Sequence, residues 1–594
     1  MKLKSYKYIL PLVMAAVGLS SCDSMFREEP FDKISGDIIW NDEQMLDGYV
    51  LPWYRNMDPG FYTYVTTIMQ GLGTEYDPWY GDQITVGRRD WYQGDYGNIL
   101  KSTMQTMTTR ARQEWLKYYT QINSINTLLE NENKLAPGVK NRVLGEAHFF
   151  RAWYYYLMLR KFGGTMIITR SYDPLVDKTK FPRATYEEMV NFICKEAETA
   201  AGYLQFSNAD ADTGRPTKGV CYMLRAKTYF WAAGEHFQNV DPSTPWLGFP
   251  SDRSMEMLDL AAAEYDRVIA TNQYDLIQIS GTTRDAVVEE YRNIFLTKNS
   301  RESIWEVQHA NDGNFDSANG HKLDRDAAAP SFGGTVASYN PTQNHVDEYR
   351  MANGKKINEA GSGYDANNPY EGRDWRFYAN ILYDGAEWKG HTMSIHYDQI
   401  DGKLVPSEDL TPYGTSTTAS VTRTGYYMAK FLNERQSIDT DATYASSQNC
   451  ILWRYAELLL DYAEIDFKKG RTGDALDKVN QIRRRVKMPD LTSLTWDELI
   501  TERRVELAFE KSTYWDLLRW NVATRRMTGS TNPLYGVRII NMANGTKRIQ
   551  RSVVNGEDSS TRLFRNIQYF YPLDWDDVRY HGLTQNYPDD WKEM

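Results

Sequence analysis

Between Ile451 and Trp520 the sequence leaves little conformational freedom. In ILWRYAELLLDYAEIDF, Ile451, Tyr455, Leu458, Tyr462 and Ile465 recur at alternating spacings of four and three, with Leu452, Ala456, Leu459 and Ala463 as a neighbouring stripe. That pattern predicts a helix with a wide apolar face. Arg454, Glu457, Asp461, Glu464 and Lys468 fall on one opposite line. Gly470 stops the helix, and Asp474 to Val486 predicts a second amphipathic helix, so the pair reads as a helical hairpin. A third helix is expected from Thr495, with Glu498 completing a capping box, to about Trp520. Its seam is Trp496, Ile500, Leu507, Tyr514 and Leu518, with Arg503 and Glu510 inside the same stripe.

Upstream, periodicity predicts helices over Asp42–Arg55, Arg110–Asn131 and Arg142–Phe162, the last closing on Gly163-Gly164 as a C-cap. Thr185–Leu204, opened by Thr185 with Glu188 three residues on, is its expected partner. Thr217–Ala233 and Met255–Thr271 form another pair. Counting pairs gives a mainly α protein of about four helical hairpins, a TPR-like array with degenerate repeats. From about Leu276 to Asn449 helical period fades and Gly, Asn, Asp, Thr and Pro rise. Short strand-like runs appear there at Ser303–His309, Phe377–Tyr383 and Tyr426–Phe431, so a large irregular insert with short β-strands is expected.

The net charge of −11 argues against nucleic-acid binding, which rests on neutralising phosphates. The first 22 residues read as a lipoprotein signal peptide. Lys2, Lys4 and Lys7 supply the positive end, and Ile9–Leu19 is an apolar run too short to span a bilayer. Leu19-Ser20-Ser21-Cys22 reads as a lipobox, making Cys22 the lipid-anchor residue, with residues 23–40 as a tether. Cys194, Cys221 and Cys450 each lie in or beside an apolar helical pattern. They read as small buried hydrophobes rather than a disulfide framework or a metal site.

RYAELLLDYAE followed by ERRVELAFEKSTYWDLLRW resembles the C-terminal signature of the SusD/RagB family of outer-membrane nutrient-binding lipoproteins. RVLGEAHFFRAWYYYLMLRKFGG resembles its R-A-x-x-Y-x-x-L plus GG signature. SIWEVQH, VDEYRMANGKKI, RDWRFYANILYDGAEW and GYYMAKF resemble successive pieces of its irregular insert, and the tail YPLDWDDVRYHGLTQNYPDDW its closing segment, with Gln585-Asn586 matching the terminal QN. Two departures stand out: Lys511 and Thr513 occupy positions where the family usually has Gly and Arg, and Trp375 stands where it commonly has Pro. The resemblance implies a TPR-like helical half, an SusC-like TonB-dependent transporter as partner, and no cofactor. It divides the chain into a helical region at 41–275, the insert at 276–449 and a C-terminal region at 450–594.

Forty-two Tyr and 17 Trp exceed what a core needs in so polar a chain. Six of them interrupt a loop at 74–97, TEYDPWYGDQITVGRRDWYQGDYG, whose Gly, Pro and Asp mark it as irregular. A flat ring covers the apolar C–H face of a sugar, while acids, amides and guanidiniums at its rim take the hydroxyl hydrogen bonds. Trp79, Tyr80, Asp82, Arg88, Trp91, Tyr92 and Tyr96 are therefore the expected ligand-binding residues of this loop. The resemblance implies that residues of the insert join them: Asn311, Asp312 and Phe315, in a stretch that also offers His309, Phe332 and Tyr339. Trp305, Trp375 and Trp388 fall in expected strands and read as packed.

Glu506 and Glu510, at i and i+4, could form a general acid and base as in glycoside hydrolysis. The competing reading, a buried ionic network with Arg503, Arg504 and Arg519, is favoured, and the resemblance makes these residues fold anchors. His391 and His396 are off helical metal spacing and read as solvated, and Arg483-Arg484-Arg485 as a solvated face or inter-helix pairing. No G-x-S-x-G, H-E-x-x-H, P-loop or G-x-G-x-x-G motif occurs. The expectation is a non-catalytic, lipid-anchored glycan-binding protein of the outer membrane that delivers oligosaccharide to an SusC-like transporter. Peptide capture, as in the RagB branch, and a surface glycoside hydrolase are the alternatives.

Overall fold

The computed structural model describes residues 36–57, 82–85, 104–173, 176–310, 319–334, 337, 339–413, 421–435, 446–554 and 564–588. Helices dominate its first half: α1 Glu43–Arg55, α2 Met104–Glu130, α3 Lys140–Phe162, α4 Tyr186–Tyr203, α5 Lys218–Ala232 and α6 Ser254–Ala270. Successive helices pack against one another, α2 on α3, α3 on α4, α4 on α5 and α5 on α6. The expected caps are present. Asp42, Thr185 and Thr217 accept the first-turn amides of α1, α4 and α5, and Thr185 with Glu188 closes a capping box. α3 is apolar around almost its whole circumference, as a helix enclosed by neighbours must be. It ends where Gly163 turns to φ +72, a conformation that L side chains rarely adopt, and the Gly164 amide then donates to Trp246 O at 2.7 Å.

Four stretches depart from the sequence reading. The 276–449 stretch contains a three-turn helix, α7 Arg284–Leu296, capped by Thr283, whose Val287, Val288, Tyr291, Ile294 and Phe295 are buried in the second core cluster. Phe377–Tyr383 is not a strand: Trp375–Asn380 is a short helix, α8, capped by Asp374, and only Ile381–Leu382 is extended. Trp375 therefore opens a helix and is half-buried, whereas Trp305 and Trp388 are buried in strands. Ile451 does not start a helix either. Cys450–Arg454 is a strand, β2, paired antiparallel with β1 Ser303–Val307, and the helix α9 runs Tyr455–Lys468. The β-branched Ile451 and aromatic Trp453 find a partner strand there, which overrides the helical period.

α9 and α10 (Thr472–Arg485) form the expected hairpin. The third helix is two. α11 Trp496–Glu506, with Thr495 accepting from the Glu498 amide at 3.2 Å, stops short of Leu507. Phe509 and Lys511 take left-handed φ of 66° and 65°, and α12 restarts at Ser512–Arg519. Lys511, standing where the resemblance leads one to expect glycine, thus adopts the glycine-like conformation, at a cost of about 1–2 kcal/mol.

A four-stranded sheet joins the insert to the tail. The hairpin of β3 Tyr535–Asn541 and β4 Lys547–Val553 sits beside a second hairpin, Tyr397–Ile400 with Lys403–Pro406, and Tyr535–Asn541 runs parallel to Tyr397–Ile400. The two halves of the molecule meet at Trp153, whose ring centroid lies 5.0 Å from Trp305 and 5.5 Å from Trp453. Cys194, Cys221 and Cys450 are free and buried. No helix among the described residues is long and apolar enough to cross a membrane.

Candidate functional site

Of the expected ligand-binding residues, Trp79, Tyr80, Arg88, Trp91, Tyr92, Tyr96, Asn311, Asp312 and Phe315 lie outside the described residues, as does Cys22. Asp82 is described, and its role differs from expectation. It is fully buried and is held by two arginines. Nη2 of Arg504 donates to Oδ1 at 2.6 Å and Nε of Arg526 to Oδ2 at 2.7 Å. A carboxylate so engaged has no capacity left for sugar hydroxyls, so Asp82 anchors the loop instead of touching a ligand.

The anchor continues along the chain. Gln83 donates from Nε2 to the Arg504 carbonyl at 3.0 Å and accepts from Thr513 Oγ1 at 2.6 Å. Ile84 and Thr85 pair antiparallel with Pro341 and Asn340. Thr342 donates its amide to the Gln83 carbonyl at 2.9 Å and its hydroxyl to the Asp82 carbonyl at 3.0 Å. The aromatic loop is therefore fastened at its middle to the insert and to the α11–α12 break at once. Sequence reasoning missed Gln83, Thr342, His345, Arg504, Thr513 and Arg526 in this role. Only Arg504 and Thr513 stood inside a recognised motif, and no local pattern reports partners hundreds of residues away.

Beneath the anchor, Glu348 accepts from Arg504 Nε at 2.7 Å and from His345 Nδ1 at 2.8 Å. Burial is the largest influence on His345 and pushes its pKa down, with Glu348 opposing. Burial also acts first on Arg504, but Asp82 and Glu348 outweigh it and raise its pKa. From the insert, His309 is buried and held to about 4, chiefly by burial. Tyr339 is buried, and Phe332 is half-buried edge-on to His391 with centroids 5.7 Å apart. These three are packed. His396 is also not simply solvated, since it meets Asp384 at 2.6 Å.

The carboxylates that could have been an acid–base pair are consumed elsewhere. Glu506 is paired with Arg376, Arg454 and Arg485, and Glu510 with Arg454 and Lys430. The expected network exists, with different members. Arg503 serves Asp461 and Asp516, Arg504 serves Asp82 and Glu348, and Arg519 serves Glu464 and Asp516. Arg483 and Arg485 are buried within it, against Glu502 and Glu302, while Arg484 faces solvent with Asp490. Burial raises the pKa of Glu506, but Arg485, Arg454 and Arg376 outweigh it and hold the carboxyl well below the usual range. A group so clamped neither donates nor accepts a proton near neutrality.

Residues 301–589 match the family model described as the SusD family, and residues 64–230 match one described as starch-binding associating with outer membrane. A SusD-like protein of Bacteroides ovatus is 21% identical over 541 residues, covering 86% of this chain and 82% of the relative. A solved SusD-like protein from Bacteroides fragilis superposes with TM-score 0.69 at 24% identity, over 94% of this chain and 99% of that one. A solved SusD-like carbohydrate binding protein from the same species gives TM-score 0.68 at 20% identity, over 91% and 99%.

Proposed function

The chain belongs to the SusD/RagB family, and from that premise we propose that it is a non-catalytic, lipid-anchored glycan-binding protein of the outer membrane. It captures oligosaccharide at the cell surface and passes it to a partner SusC-like TonB-dependent transporter. The observation that carries the reading is the family match over both halves of the chain, 64–230 and 301–589. The commitment of Glu506 and Glu510 to buried arginines supports the non-catalytic part.

The ligand is gripped by the loop 74–97, with Trp79, Tyr80, Arg88, Trp91, Tyr92 and Tyr96 as contacts, joined by Asn311, Asp312 and Phe315 of the insert. What supports this placement is the anchor at Asp82 and Gln83, which ties the middle of the loop to the insert. Cys22 carries the lipid. The test is a glycan and peptide array with the mature protein, repeated with Trp79→Ala and Trp91→Ala. Retention of sugar that both variants weaken supports the site, and a ring–sugar stack lost from either should weaken binding by about 0.5–1.5 kcal/mol or more. Undiminished retention in both removes the loop from the site, and exclusive retention of peptides replaces glycan with the RagB-type ligand.

A further inference from the structure

The register of the four-stranded sheet sorts its side chains onto two faces. Arg538 lies opposite Gln550, Ile540 opposite Arg548, Ile540 beside Tyr397, and Gln399 opposite Leu404, all on one side. Val537, Ile539 and Ile549 lie on the other and pack into the second core cluster. On the core side Lys547 meets Asp384 and Arg551 meets Asp347. The outer side carries Arg538 and Arg548. Among the described residues no carboxylate lies within ion-pair distance of Arg538 or Arg548, and the side-chain amides of Gln399 and Gln550 make no hydrogen bond. The Arg538 guanidinium lies 4.6 Å from the centroid of the Tyr397 ring, which is half-exposed.

We propose that this outer sheet face is a second glycan contact, selective for anionic polysaccharide, in which uronate carboxylates or sulfate esters pair with Arg538 and Arg548. The proposal rests on the glycan-binding reading above. A guanidinium offers a planar fork that matches carboxylate or sulfate oxygens two at a time. Tyr397 presents an aromatic edge to the sugar ring, and the free amides of Gln399 and Gln550 match its hydroxyls. Neighbouring strands lie about 4.8 Å apart, so the three that carry these groups span about 10 Å, with Ile540 buried between them. Charge argues for the same ligand. In a chain of net charge −11, two arginines beside a tyrosine, with no acid in reach among the described residues, form a local positive surface that a neutral sugar would not require.

The experiment is native affinity electrophoresis of the mature protein through gels containing polygalacturonate, dextran sulfate or a neutral β-glucan. Wild-type protein is expected to be retarded in one or both anionic gels, less so as NaCl is raised. Arg538→Gln and Arg548→Gln should each weaken that retardation by about two- to fivefold, the worth of one exposed ion pair, and the double variant should abolish it. Arg525→Gln, which removes an exposed charge outside the sheet, should not. Retardation of wild type in neither anionic gel, indifference to both sheet arginines, or equal loss in Arg525→Gln overturns the proposal. Failure of the loop reading would show separately, as glycan retention insensitive to Trp79→Ala and Trp91→Ala while the sheet variants still act.

Discussion

Asp82 and Arg504 stand 422 positions apart, yet the Arg504 Nη2 donates to the Asp82 carboxylate at 2.6 Å with both side chains buried. Arg526 holds the second oxygen, and Glu348 is the other acid on Arg504. Asp82→Ala would leave one acid for two guanidiniums. Breaking a buried pair from one side costs about 3–5 kcal/mol. We expect the variant to lower the urea midpoint followed by tryptophan fluorescence, with Asp82→Asn intermediate because it keeps the volume and part of the hydrogen bonding. An unchanged midpoint in Asp82→Ala would show that the ion pair contributes nothing net.

Acid should unfold this protein through the same class of contact. Burial raises the pKa of Asp461, but Lys227 and Arg503 outweigh it and bring the carboxyl to about 2. Unfolded aspartate titrates at about 3.9. The folded value is the lower one, so the contribution is fully present above about pH 4 and is lost as pH falls to about 2. Glu464, Glu502 and Glu510 are lowered likewise, burial opposing and Arg519, Arg376 with Arg483, and Arg454 with Lys430 prevailing. Glu457, the other partner of Lys227, is raised by burial and acts in the opposite sense. The informative quantity is therefore the difference between wild type and Asp461→Asn. The variant's urea midpoint should fall less steeply between pH 4 and 2, and parallel curves would exclude Asp461 as a source of the slope.

Two glycines should respond to alanine with opposite signs. Gly163 ends α3 in a left-handed conformation, and a Cβ there would collide with the Trp246 carbonyl. Gly163→Ala should cost about 1–2 kcal/mol for the backbone and roughly 1–3 kcal/mol more for the overlap. Gly202 lies inside α4 with nothing within 4 Å of an added Cβ, and Gly202→Ala should gain about 0.5–1 kcal/mol of helix stability. Thermal melting of the two variants, scanned side by side, reads both signs.

The helical half was legible because caps and apolar stripes are local. Thr185 with Glu188, Thr217 and Thr495 mark their helices within a few residues. Reading failed where a partner segment decides. Cys450–Arg454 carries a helical stripe but pairs with Ser303–Val307, and the break after Glu506 sits inside a seam whose helical spacing continues across it. α7 escaped notice because its surroundings are rich in turn residues, although Val287, Val288, Tyr291, Ile294 and Phe295 keep helical spacing. For the site, sequence could name aromatic residues suited to sugar, but it could not tell a ligand-facing Asp82 from a buried one. That distinction depends on Arg504 and Arg526, and no spacing rule reaches across such a separation.

Lys430 provides a test on the alkaline side. Its ammonium donates to Glu510 Oε1 at 2.6 Å and to the Glu506 carbonyl at 3.0 Å, and lies 4.4 Å from the centroid of Phe295. Burial is the largest influence and pushes its pKa down to about 8, with Glu510 opposing and the Arg454 charge adding to the fall. Unfolded lysine titrates at about 10.4, so between those values the unfolded chain binds more protons than the folded one. Stability from this group must then rise with pH across the window and be lost again as pH falls through about 8. Lys430→Met keeps an unbranched apolar chain against Phe295 and removes the titration. Between pH 8 and 10 the wild-type urea midpoint should climb relative to that of the variant. A constant difference across those values would mean that the Lys430 amine titrates alike in the folded and unfolded protein, and that its burial against Phe295 and Glu510 carries no electrostatic cost.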